Sequence, residues 1–115
     1  MLVPDSFNDN LGFYFSVRNS IFRLRHDNEE YCRLTTKHIQ IIVLSSLLPS
    51  PFSLYSFKRF GYSYKAVHIA RKRFLTSYID QLKPGKYCLS ESGLLLVSRF
   101  FALYEKYSSL PPKFC

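Results

Sequence analysis

The sequence predicts a mainly α fold with a small β wing. Two observations carry that expectation. Apolar residues recur at helical spacing through most of the chain, with Gly and Pro at the breaks, and one short run behind Pro84-Gly85 alternates like a strand. With 115 residues and 47% hydrophobic content, the chain can bury roughly two thirds of its unfolded surface, enough for one core. The expected organisation is a lead-in over 1–10, a single domain over 11–110 and a tail over 111–115.

The lead-in is polar and turn-rich, and Asp9 or Asn10 is placed to cap the stretch after it. From Leu11 to His26, Tyr14, Val17, Ile21 and Leu24 fall at helical spacing. In the same stretch Phe13, Phe15 and Val17, then Phe22 and Leu24, alternate around Asn19-Ser20 as a hairpin would. Helix is favoured, with the hairpin as the alternative. Asp27 to Glu30 reads as a polar loop and is the one acidic cluster. Thr35 or Thr36 then caps a helix over 37–48, where Ile39, Ile41, Ile42, Val43, Leu44, Leu47 and Leu48 leave almost no polar face. Such a helix is expected at the centre of the fold. Pro49-Ser-Pro51 ends it, and Pro51 in a first-turn position starts a short helix over 52–60 that Gly61 closes in a left-handed conformation.

The next helix is expected over 64–82, with Val67, Ala70, Phe74, Tyr78 and Leu82 on one face and Lys65, Ile69, Lys72, Thr76 and Asp80 opposite. Arg71 falls near the apolar stripe and has to snorkel to its rim. Pro84-Gly85 is a tight turn, Lys86 to Leu89 a short strand, and Ser90 or Ser92 caps a last helix running to about Leu110. That helix carries Leu94, Leu95, Val97, Phe100, Phe101, Leu103, Tyr104 and Tyr107. Apolar on more than one side, it either meets a partner subunit or packs on the first helix of its own chain.

Charge narrows the partner. The net charge is +8, and the stretch from Ser56 to Lys86 holds eight of the sixteen Lys and Arg with a single acid, Asp80. A polyanion is therefore expected. Cys32, Cys88 and Cys115 are far apart, which suggests neither a zinc site nor a disulfide framework and makes a reducing compartment the default. His38 and His68 read as surface or capping groups, and Cys88 as a small core residue. No metal, cofactor or small-molecule ligand is implied. The start lacks a basic segment followed by an apolar one, and no stretch approaches the ~18 apolar residues of a spanning helix, so a cytoplasmic protein without membrane contact is expected. His68-x-x-Arg71 followed by Tyr78 resembles part of the tyrosine recombinase constellation. The further basic residues have no counterparts, Tyr78 falls on an apolar face, and a non-enzymatic protein is expected.

Two motifs carry a resemblance. Leu34-Thr-Thr-Lys-His-Ile-Gln-Ile-Ile-Val-Leu-Ser-Ser-Leu47 resembles the opening helix of winged helix-turn-helix DNA-binding proteins of the MarR-like type, which often begin with Leu-Thr. Tyr87-Cys-Leu-Ser-Glu-Ser-Gly-Leu94 is similar to the aromatic-x-Leu-Thr/Ser-x-x-Gly-Leu pattern that closes their wing. The resemblance spans about Leu34 to Tyr104. It implies that Tyr62, Ser63, Tyr64, Lys65, His68, Ile69 and Lys72 face the major groove of double-stranded DNA, with Lys58, Arg59 and Arg73 clamping phosphates. With only Lys83 to Lys86 between helix and strand, the wing is expected to be shorter than a two-stranded hairpin, and Lys83 and Lys86 touch phosphates at most. The function implied is sequence-specific DNA binding by a small transcriptional regulator or a phage or plasmid accessory factor, homodimeric through Leu11–Leu24 and Ser92–Tyr107. The alternative is a protein-contact module on the same scaffold that does not bind DNA.

Overall fold

The computed structural model describes residues 10–108, with side chains from Arg18 to Lys106. The lead-in before Asn10, its Asp9 cap, the side chains of Phe13 to Val17, and the tail with Cys115 lie outside the described residues. The fold is mainly helical with one small antiparallel sheet. In order come α1 (Asn10–Asp27), a 3-10 turn (Glu29–Tyr31), α2 (Thr36–Ser45), a 3-10 segment (Leu54–Phe60), α3 (Tyr64–Phe74), β1 (Ile79–Lys83), β2 (Lys86–Leu89) and α4 (Glu91–Ser108). No described helix is long and apolar enough to cross a membrane. Contacts divide the chain into two compact units. One comprises the described residues up to Thr36 with those from Ser98 onward, the other Lys37–Val97.

In the first unit, α1 is a continuous helix, not a hairpin. Strand alternation would put Phe22 and Leu24 on one face, whereas Leu24 and Ile21 are buried and Phe22 is exposed, as three-residue spacing on a helix requires. Asn28 closes the helix, its backbone and side-chain amides both donating to the Leu24 carbonyl at 3.1 and 3.0 Å. The expected loop over 27–30 is thus the end of α1 followed by the 3-10 turn. Arg99 of α4 holds that turn, donating to the Glu30 carboxylate and, at 3.1 Å, to the Tyr31 hydroxyl.

In the second unit α2 buries Ile39, Ile41, Ile42 and Val43 and ends at Ser45, three residues before Leu48. The Ser45 and Ser46 hydroxyls donate back to the Ile41 and Val43 carbonyls at 2.8 and 2.6 Å, drawing acceptors away from the helix ladder. The 3-10 segment starts behind Ser53, not behind Ser50-Pro51. Ser53 Oγ accepts the Tyr55 amide at 3.2 Å, and Gly61, at φ 89°, ends the segment in the left-handed region as expected.

The largest correction concerns α3. Expected to run to Leu82, it ends at Phe74, and residues 79–83 form β1 instead. β1 pairs with β2 in the register Ile79↔Leu89, Asp80↔Cys88, Gln81↔Tyr87 and Lys83↔Lys86, with a bulge at Leu82. Pro84 followed by Gly85 at φ 79° makes the two-residue turn. The β element is therefore a two-stranded hairpin, longer than the sequence analysis expects. Tyr78 and Leu82 leave the helix, and Phe74 and Leu82 are exposed, so the expected apolar stripe reduces to Val67 and Ala70.

Two fastenings hold this hairpin, one at the outer edge of β2 beside the turn and one at the start of β1. Phe52 and Tyr87 exchange both backbone hydrogen bonds at 2.8 Å. Arg71 Nε donates to the Ile79 carbonyl at 3.1 Å, and its guanidinium lies 5.3 Å from the centre of the Tyr87 ring. The snorkelling expected of Arg71 thus has a defined target.

Ser90 starts α4, its Oγ accepting the Gly93 amide at 3.1 Å and donating to the Ser77 carbonyl at 2.6 Å. A Cβ on Gly93 would collide with the Tyr78 carbonyl oxygen, so only glycine lets the helix begin there. Leu96, Val97, Phe100, Phe101 and Tyr104 are buried within the single chain, while Leu94 and Leu95 remain exposed.

Candidate nucleic-acid interface

α3 owes its start to Ser63, whose extended backbone and Oγ, accepting the Ala66 amide at 3.2 Å, satisfy one of the free donors of the first turn. From there helical geometry sorts the side chains. Val67 and Ala70 face the core; Lys65, Ile69 and Lys72 share the opposite face, with Arg73 beside them, all exposed. Lys58 and Arg59 are exposed on the preceding 3-10 segment, which packs against α3. Lys83 and Lys86 pair across the exposed tip of the hairpin. Among the described residues, none of these seven cations is in an ion pair, unlike Arg23, which pairs with Asp27, and Arg99, which pairs with Glu30. Lys58, Lys65, Lys72, Arg73, Lys83 and Lys86 are left to solvent, while the Arg59 guanidinium lies 5.6 Å from the centre of the Phe60 ring.

The remaining expected site residues divide. The Tyr62 hydroxyl donates to Gln40 Oε1 at 2.6 Å, and burial pushes the phenol above its ordinary pKa. Tyr62 is thereby a brace between α2 and the turn before α3. Lys37, which the sequence reading did not single out, lies 5.9 Å over the Tyr62 ring and adds a cation at the start of α2. Tyr64 and His68, one turn apart, stack at 5.6 Å with planes 12° apart. Tyr55 extends the stack from the 3-10 segment, 4.1 Å from Tyr64 and 15° from parallel. The i, i+4 spacing is visible in the sequence; the Tyr55 contact is not, because eight residues and a left-handed turn separate it from Tyr64. His38 stacks on Phe74 at 4.6 Å and is half-buried. Cys88 is half-buried opposite Asp80, less enclosed than a core residue.

The arrangement can bind a polyanion by charge and present stacked rings beside it. Among the described residues no group of His, Cys, Asp and Glu could hold a metal ion. No protein-family model, curated protein or solved structure matches the chain.

Proposed function

We propose that this chain is a winged-helix protein that binds double-stranded DNA sequence-specifically, as a small cytoplasmic transcriptional regulator or accessory factor of a phage or plasmid. The observation that carries the reading is the unpaired cationic face of α3, fastened through Arg71 to a hairpin whose tip carries two opposed lysines. Like charges directly across a strand pair repel, and a phosphate between them would relieve that repulsion. In this reading the start of α3 lies in the major groove, where Lys65, Ile69 and Lys72 reach base edges or phosphates. Lys58, Arg59 and Arg73 clamp the backbone, and the hairpin tip touches a flanking phosphate. Tyr62 and Ser63 set the angle and start of the helix. The protein acts as a homodimer, which places two such helices about one turn of duplex apart on a palindromic site.

The test is a fluorescence-anisotropy titration of a labelled random-sequence duplex at several salt concentrations. Each phosphate neutralised contributes about 0.9 to the slope of log affinity against log salt, so contacts from most of the cations named above give a steep decline. Lys65→Glu with Lys72→Glu should abolish binding while leaving the folded state intact. Failure to bind duplex at low salt would overturn the proposal. A second reading, a protein-contact module, draws on the exposure of Phe74 and Leu82; a partner bound through such a surface would dissociate far less with added salt.

A further inference from the structure

We infer that the ring stack of Tyr55, Tyr64 and His68 receives an unpaired nucleobase on its open end, so that the protein engages a single-stranded DNA extension beside the duplex. This rests on the DNA-binding reading above. Tyr55 is 68% exposed although one of its faces lies on Tyr64, which leaves the other face open to solvent. The ring is not a loose surface tyrosine. Its backbone amide is held by Ser53 Oγ, its inner face is backed by Tyr64 at 4.1 Å, and Tyr64 is backed in turn by His68. A platform already fixed in orientation loses little side-chain entropy when a further flat ring is added.

Charge says what that ring belongs to. Lys58 stands one 3-10 turn beyond Tyr55 and Lys65 follows Tyr64, so exposed cations adjoin both tyrosines along the chain, the combination of charge and ring that a single strand's phosphates and bases call for. A base inside a duplex has both faces covered by its neighbours and cannot lie on Tyr55. An unpaired base can. Stacking of this kind tolerates any base, because each presents a flat face, and it strengthens binding roughly 5- to 150-fold per base.

The test compares one blunt duplex with the same duplex carrying a short 3′ or 5′ single-stranded extension, with 2-aminopurine at the first unpaired position, both read by anisotropy at low salt. One polarity of extension should bind about tenfold tighter than the blunt duplex, with quenching of the 2-aminopurine. Tyr55→Ala and Tyr55→Leu should lose the gain and the quenching yet bind the blunt duplex as before, and Tyr55→Phe should keep both. Equal affinity for blunt and extended duplexes, or a gain that survives in Tyr55→Ala, overturns this inference and leaves duplex binding standing. Absence of binding to every duplex overturns both.

Discussion

Arg71 shows how one side chain decides what a helix face is for. Its position beside the apolar stripe is legible from spacing, but its partners are not, because Ile79 satisfies a helical period and Tyr87 belongs to a strand whose pairing partner the spacing hides. The guanidinium donates to the Ile79 carbonyl and covers Tyr87, so Arg71→Ala should cost about 1–3 kcal/mol in urea unfolding. Arg71→Lys should recover only part of this, since an ammonium lacks the planar surface that covers the ring. His38 supplies a pH dependence. Burial, and next the adjacent Lys37 charge, hold its imidazole below the ordinary histidine value. The unfolded chain therefore takes up this proton first as pH falls through about 6.5, and stability declines until the folded protein protonates as well. In His38→Gln the urea midpoint should drop less between about pH 7 and about pH 5 than in the parent; an identical drop would assign the acid sensitivity to other groups.

At the scale of elements, local signals were sufficient wherever a local interaction fixes the boundary. Gly61 ends the 3-10 segment and Ser90 begins α4 for the reasons their residue types suggest. The end of α3 was not legible. Phe74, Tyr78 and Leu82 satisfy a helical period, and no Gly or Pro interrupts them. What overrides the period is pairing across Pro84-Gly85 with Lys86–Leu89, a turn flanked on both sides by runs able to form strands. The Leu-Ser-x-x-Gly pattern at the start of α4 acquires a physical meaning from the same hairpin. Ser90 caps the helix and ties back to Ser77, while Gly93 gives room for the Tyr78 carbonyl. Gly93→Ala should therefore destabilise by about 1–3 kcal/mol, with the loss read in the melting transition. Tolerance of alanine there would mean that α4 can start further from Tyr78.

For the whole molecule, the sequence made the charge plain and the assembly ambiguous. Much of the apolar surplus of α4 is used within one chain, where Phe100, Phe101 and Tyr104 are buried. Among the described residues, α1 leaves Phe22 exposed and α4 leaves Leu94 and Leu95 exposed. Sedimentation equilibrium on the parent should show a dimer, and Leu94→Glu with Leu95→Glu should yield a folded monomer with weakened binding to a palindromic site. A parent that is monomeric at high micromolar concentration removes the palindrome from the functional proposal. The candidate interface was legible as a basic stretch, but its geometry was not, since the Tyr55 stack and the Lys37–Tyr62–Gln40 brace join residues from different elements.

The double fastening of the hairpin has one more consequence. Phe52 and Arg71 hold β1 and β2 from two sides, and the turn beyond them is two residues long, so the lysine tip has little freedom to slide relative to α3. Under the proposed DNA-binding function the protein would act as a ruler, setting the distance along a duplex between what the helix reads and where the tip rests. Base pairs inserted between those two points would rotate the second contact out of helical phase, and the duplex, not the protein, would have to twist or bend to restore it.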